Sequence, residues 1–229
     1  MLHEKKIILD SRLFAIAEMV GKCDRYADIG CDHGRLGAFL LQRGWVSQAL
    51  LMDISDSSLD KARALIRLLG LEEKTRFLVG DGADPLDCPI DCVVIAGMGG
   101  TTAAGIIERG KGKFGGAKLI IQANVANPEL RERLMHTGYR ITDERVVKDG
   151  RRHYIIIEAV PGHAEYDERE LMVGPVLLRE KPAELAGYVE FRLRVAHKAL
   201  LGAERGGEVE IVDALRREIQ IWEDVQTCL

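Results

Sequence analysis

No apolar run in this 229-residue chain approaches the roughly 20 residues that a bilayer-spanning helix needs, which excludes a helical membrane protein. The N-terminal Met1-Leu2-His3-Glu4-Lys5-Lys6 is not followed by an apolar stretch with a small-residue cleavage site, so no secretory signal is expected. Cysteine is scarce and unpaired. Cys23, Cys31, Cys88, Cys92 and Cys228 form no CxxC pair, and this odd set predicts a reduced, cytoplasmic protein without disulfides. Cys88-x-x-x-Cys92 is a poor zinc half-site and the six histidines do not cluster near it, so no metal is expected. Positive charge is not in excess either: 32 Lys and Arg against 36 Asp and Glu give a net charge of −4. Taken alone, that balance disfavours a polyanionic partner. Internal repeats and low-complexity tracts are absent. What is present, 47% hydrophobic and 30% charged residues, suits a globular protein with a buried core.

The first 160 residues alternate between β-rich runs and helical patterns. Leu13, Ile16, Ala17 and Val20 make one apolar stripe, predicting a helix over 11–20. Strands are predicted over 26–29, 49–52, 76–79, 92–96 and 119–122, with helices over 35–43, 58–69, 101–109 and 128–137 between them. Ser57-x-x-Asp60 reads as an acidic capping box and Gly70 as a helix stop. Two strands then follow directly, 139–147 and 153–160, around the turn Lys148-Asp149-Gly150. Alternation closed by a strand pair predicts an α/β fold of the Rossmann-like class I methyltransferase layout, a seven-stranded, mostly parallel sheet with an antiparallel last strand. Beyond Pro161-Gly162 the pattern turns helical, over 182–204 and 208–226, with stripes through Leu185, Val189, Leu193, Ala196 and Leu200 and through Val212, Leu215, Ile219, Trp222 and Val225. These predict a coiled-coil-like helical hairpin, and domains of 1–162 and 163–229.

The strand ends carry the candidate chemistry. Asp28-Ile-Gly30-Cys31-Asp32-His33-Gly34 lies at a strand-to-helix turn, where glycine admits close approach of a ligand and a helix N-terminus offers unpaired N–H groups. The GxGxxG dinucleotide fingerprint is absent, because Asp32 stands at its middle glycine. An acid two residues before the first glycine matches the other use of this fold, binding S-adenosyl-L-methionine; a ligand-free glycine turn would look the same. Asp53, followed by Ile54, ends the second strand, where a carboxylate can accept both ribose hydroxyls of an adenosyl group or simply cap the next turn. Asp81, before Gly82, ends the third, where it can accept an adenine amino group or form an Asp-Gly turn. Three acids on three successive strand ends favour one adenosyl pocket over three separate turns. Ala96-Gly97-Met98-Gly99-Gly100 closes the fourth strand as a bare backbone wall.

Ala27-Asp-Ile-Gly-Cys-Asp-His-Gly, Gly80-Asp-Gly, Ile95-Ala-Gly-Met-Gly-Gly and Leu119-Ile-Ile-Gln-Ala-Asn together resemble the TrmK family of bacterial tRNA (adenine-22-N1)-methyltransferases. The resemblance runs on through Leu130-Arg131, Leu134, Gly138-Tyr139 and Val173-Gly174-Pro175. Departures stand at Cys31, Gly34, Asp53, Ala123 and Val173, where the family usually has Ser, Ala, Glu, Pro and Phe. It implies S-adenosyl-L-methionine as cofactor, tRNA as partner and adenine N1 as acceptor. The residues agree with a ring nitrogen. AGMGG occupies the place where exocyclic-amine methylases carry Asn/Asp-Pro-Pro-aromatic, and Cys88 precedes the fourth strand rather than following it as a carbon methylase's nucleophile would.

Adenine N1 needs alignment more than a base, and a carboxylate can stabilise the cationic product. Asp32 is the first catalytic candidate and His33 the second; Asp32 could equally cap the next helix. Gln122 and Asn124 can bond the base edge, with Gly99, Arg131 and Arg152 as further substrate contacts. Residues 131–153 carry a local charge of +3, and residues 1–164 a net of +1 against −5 for 165–229, so a basic patch there, with Arg192, Arg194 and Lys198, is the expected tRNA contact. Tyr139 and Tyr154 could stack on bases or belong to the core. A monomer is expected. A methyltransferase of a small molecule or another RNA, and a non-catalytic adaptor on the same fold, remain the alternatives.

Overall fold

The computed structural model describes residues 6–125 and 127–229. The chain divides between Glu165 and Tyr166 into two compact units. In the first, α1 (Ser11–Val20), β1 (Cys23–Ile29), α2 (Arg35–Gln42), β2 (Val46–Asp53), α3 (Asp56–Leu69) and β3 (Thr75–Val79) are followed by β4 (Cys92–Met98), α4 (Gly100–Phe114), β5 (Lys118–Ala123), α5 (Asn127–His136), β6 (Tyr139–Asp149) and β7 (Arg152–Pro161). The sheet order is β3-β2-β1-β4-β5-β7-β6, with β7 antiparallel to both its neighbours and the β1–β5 pairings parallel. Val93, Val94 and Ile95 on β4 and Leu119, Ile120 and Ile121 on β5 have no exposed surface, as central strands covered on both faces require. After β1 the chain moves toward β2, and after β4 toward β5. The loops at those two strand ends therefore part and leave a crevice.

Several local details depart from the expected ones. Helix α3 is capped by Ser55, whose side chain accepts from Ser58 N, while Asp60 bonds Arg63 at 2.7 Å instead of closing a box with Ser57. Helix α4 runs on through Gly110 to Phe114. Gly110 is there for packing, since a side chain on it would strike the Phe114 ring and Ala83. Ala96-Gly-Met-Gly-Gly is not a free loop: β4 extends to Met98 with a register shift between Ala96 and Met98, and Gly99 caps α4.

Arg131 is withdrawn from any substrate surface. Its side chain is 1% exposed and its Nε donates to Glu144 at 2.8 Å, so α5 and β6 are locked together by a buried ion pair. Tyr139 belongs to the core.

In the second unit, α6 (Glu168–Val173) and α7 (Pro175–Glu180) precede α8 (Ala183–Gly206) and α9 (Val209–Thr227). The last two form the helical hairpin, turning at Gly207. Leu185, Val189, Leu193, Ala196, Val212, Ile219, Trp222 and Val225 are its buried seam. Helices α6 and α7, six residues each, are too short to show periodicity; a capping box of Asp167 and Glu170 starts one, and Gly174-Pro175 divides them. Arg192 is internal to the hairpin, 2.6 Å from Glu218 and stacked over Trp222, and so is not a free cation for RNA.

Breaking a buried ion pair strands the remaining charge. Arg131→Met is expected to lower the unfolding free energy by about 3 kcal/mol or more in a urea titration, and pairing it with Glu144→Leu to recover most of that loss. A cost below about 1 kcal/mol for the single change would show the pair to be solvated.

Candidate active site

The crevice is a cleft of about 660 Å³, lined by Asp28, Gly30, Cys31, Asp32 and His33 at the end of β1, by Ala96, Gly97 and Met98 at the end of β4, by Asp10 at the N-cap of α1 with Arg12 and Leu13 in its first turn, and by Arg35 and Leu36 on α2. That volume is ordinary for a small-molecule site. At two glycines its wall is bare main chain. Gly30 has φ +76° and abuts the Met98 methyl, leaving no room for a side chain; Gly97, at φ +79°, forms the bulge of β4.

Asp28 is 5% exposed and, among the described residues, has no ion-pair partner. Burial pushes its carboxyl up to about 7, and the charge of Asp53 adds to the rise. The Tyr26 hydroxyl, buried beside it, pulls the other way by favouring the charged form, a larger effect than that of Asp53. A desolvated carboxylate of this kind favours a cationic ligand group. Nearby, α2 begins at Gly34 with no side-chain cap, leaving its first N–H groups free for an anion. An acceptor for an ammonium and donors for a carboxylate in one cleft fit the amino-acid end of S-adenosyl-L-methionine.

Asp53 accepts from Ser55 N at 2.9 Å through one oxygen and from Asp32 N at 3.2 Å through the other. Each oxygen keeps a lone pair for a ribose hydroxyl. The second bond holds Asp32 at φ +48°, a left-handed conformation that aspartate tolerates better than most residues. From there its carboxylate lies 2.5 Å from His33 Nδ1, both side chains being more than half exposed. Ile54, 72% exposed, offers an unsupported apolar face next to Asp53. Asp53 and Ile54, like Asp81 and Gly82 just past β3, lie outside the cleft lining, and Asp81 is paired with Arg109 at 3.1 Å. Burial drives the Cys31 thiol far above its ordinary value, which makes it a packing group and not a nucleophile.

The acceptor side holds Gln122, fully buried and paired in register with Ala96, and Asn124, whose Nδ2 donates to Gly97 O at 2.9 Å. Gly99 faces open space. Strand β5 ends at Ala123, paired with Ile155; the β6–β7 hairpin continues past that pair, so its tip projects beyond the sheet at the cleft end. Lys148, Arg151 and Arg152 are exposed on that tip and, among the described residues, form no ion pair. The residue that the sequence reading missed is Arg12. It lines the cleft, donates to Gln122 Oε1 at 2.7 Å and lies over the Tyr154 ring. Its only signal was a cation beside the apolar stripe of α1. Among the described residues, no group of His, Cys, Asp and Glu could hold a metal ion, and no helix is long and apolar enough to cross a membrane.

Residues 9–157 match the family described as a methyltransferase domain. The chain is 33% identical over 183 residues, 76% of its length and 77% of the relative's, to the tRNA (adenine(22)-N(1))-methyltransferase of Bacillus subtilis. It is similar to the crystal structure of the B. subtilis m1A22 tRNA methyltransferase TrmK, with TM-score 0.86, 26% identity and coverage of 96% of this chain and 100% of that one. A Streptococcus pneumoniae protein crystallised with S-adenosyl-L-methionine aligns with TM-score 0.87 and 25% identity over 96% of this chain and 100% of its own.

A carboxyl whose pKa is raised by folding contributes stability at low pH that is lost as the pH climbs from about 4 through about 7. Asp28→Asn should remove that loss. The difference in unfolding free energy between pH 4.5 and pH 7.5 is expected to change by on the order of a few kcal/mol relative to the parent. Superimposable pH profiles would place Asp28 in water.

Proposed function

The chain belongs to the methyltransferase-domain family and, within it, to the TrmK tRNA (adenine-22-N1)-methyltransferases, and from that membership we propose which of its residues carry the reaction. The enzyme uses S-adenosyl-L-methionine to methylate N1 of adenine 22 in tRNA. The observation that carries the residue assignment is Asp28, buried without a counter-charge in a cleft walled by glycine backbone. When bound, S-adenosyl-L-methionine supplies an electrophilic methyl group on a sulfonium sulfur. Asp28 would hold its ammonium, the N-terminus of α2 its carboxylate, and Asp53 its ribose hydroxyls. Ile54 would cover the adenine ring, and Asp81 and Gly82 would complete that end once Asp81 shares its carboxylate between Arg109 and the amino group. Gly30, Ala96 and Gly97 would keep the wall thin, with Cys31 and Met98 lining it beside them.

At the acceptor the chain has to orient a nitrogen that already carries a lone pair. Asp32, fixed by Asp53, stands ready to stabilise the positive charge that grows on the base, and His33 holds its carboxylate. Gln122, Asn124 and Gly99 form the base-side surface. Arg152, with Lys148 and Arg151, would meet phosphates, and the helical domain from residue 163 onward would add a second contact. The reading includes a monomeric enzyme in the cytoplasm, where five free cysteines stay reduced.

Incubation of the protein and donor with tRNA transcripts carrying A22 or G22, followed by nucleoside mass spectrometry, tests this directly. One-methyladenosine is expected only from the A22 transcript, and Asp32→Asn should slow its formation about tenfold to a hundredfold with donor affinity little changed. Donor binding without 1-methyladenosine in any tRNA would overturn the reading. Exchanging Lys148, Arg151 and Arg152 for Gln should flatten the salt dependence of tRNA binding, lowering the slope of log K against log salt by roughly 2 to 3. An unchanged slope would move the phosphate contact elsewhere.

A further inference from the structure

We propose that Arg12 is a positioning residue that sets the adenine specificity of the cleft, by fixing the direction of a hydrogen-bond chain from Arg12 through Gln122 and Asn124 to the Gly97 carbonyl. The proposal rests on the reading of this cleft as the methyl-transfer site. A guanidinium can donate but never accept. Arg12 NH1 donates to Gln122 Oε1 at 2.7 Å, and Gln122 has no exposed surface through which water could satisfy it otherwise. Its amide oxygen must therefore face Arg12 and its amino group must face away. Gln122 Nε2 donates to Asn124 Oδ1 at 3.1 Å, and Asn124 Nδ2 in turn to Gly97 O at 2.9 Å. The Gly97 carbonyl, which can only accept, demands the same direction from the far end, so Arg12 completes a chain whose links have one consistent orientation.

Arg12 is itself held. It sits in the first turn of α1, and its guanidinium carbon lies 5.5 Å from the centroid of the Tyr154 ring on β7. The chain thus ties α1, β5 and β7 to the bulge in β4 that walls the donor side of the cleft. Asn124 is exposed at the end of this chain and keeps one oxygen lone pair and one amide hydrogen unspent. An amide with one donor and one acceptor in fixed order matches adenine at its N6 amino group and N7, the bidentate pairing by which asparagine reads adenine in nucleic acids. That pairing leaves N1 free to react. Guanine presents two acceptors on the same edge and is refused as long as the amide cannot turn over.

The test separates direction from bulk. Lysine, like arginine, only donates, so Arg12→Lys should retain kcat/KM for A22 tRNA within about tenfold. Glutamine can donate or accept and methionine does neither, so Arg12→Gln and Arg12→Met should lose about tenfold to a hundredfold more than that. The loss should fall on kcat and on the A22-to-G22 ratio, with donor affinity by calorimetry held near the parent value. Gln122→Glu keeps the Arg12 contact but can no longer donate to Asn124, forcing that amide to reverse against the Gly97 carbonyl. It should match the Arg12→Met loss while its thermal midpoint stays at or above the parent's. A fully active Gln122→Glu enzyme, or Arg12→Lys as impaired as Arg12→Met, would overturn the proposal. If the parent itself makes no 1-methyladenosine, the methyl-transfer reading fails instead.

Discussion

The reversal of strand order between β1 and β4 is the constraint from which the rest of the site follows. One strand sends the chain outward to β2 and the other to β5, so no connection can close the edge between them. The flanking strands are buried on both faces, leaving only the residues at their carboxyl ends free to carry polar groups. Burial there is uneven, and the unevenness is useful. Asp28, hemmed between β2 and β4, is desolvated, while Asp32, four residues on and outside the sheet, is two-thirds exposed. Two carboxylates on one turn are thereby given different tasks. On the proposed reading the buried one receives the ammonium of the ligand, and the exposed one faces the incoming base.

The positions of the site acids were legible in the sequence, but their states were not. Each acid ends a strand, and strand ends follow from local composition. Whether the carboxylate is bare, shared or paired depends on residues that lie elsewhere in the chain. Asp28 has no ion-pair partner among the described residues, Asp53 spends half its lone pairs on Ser55 and Asp32, and Asp81 is held by Arg109, 28 residues away. The same limit explains the fold's departures. Gly110 reads locally as a helix stop, and only the Ala83 and Phe114 side chains packed against it explain why the helix continues. Gly97 reads as a bare wall just past the strand, and only the register with β5 identifies it as a bulge within it. Arg12 was hidden most completely. Its partner Gln122 lies 110 residues away, and the periodicity that found α1 is blind to the polar face.

Arg131 and Arg152 show the same limit in reverse. By sequence they belong to one basic stretch and deserve one role. The structure buries the first against Glu144 and leaves the second on a hairpin tip, because α5 turns its residue 131 inward while β7 begins with its residue 152 past the end of β5. Burial converts a surface charge into a structural tie, and no count of charges along the chain distinguishes the two.

An acidic protein can therefore bind a polyanion without contradiction, because net charge counts every cation while phosphate responds only to those left unspent. Arg63, Arg76, Arg109, Arg131, Arg133, Arg145 and Arg192 each face a carboxylate within 4 Å, so their fields are largely cancelled at the distance of an incoming strand. What remains near the cleft end, among the described residues, is the trio on the β6–β7 tip together with Arg12 and Arg35 in the cleft lining, neither of which forms an ion pair. Three phosphate contacts weaken binding only some tens-fold between 50 and 200 mM salt, far less than a protein with six to ten contacts would suffer. So small an electrostatic share cannot hold any RNA indiscriminately. On the proposed reading the remaining free energy comes from fitting the right base into the cleft and from the contact of the helical domain, while the acidic surface elsewhere disfavours other modes of attachment.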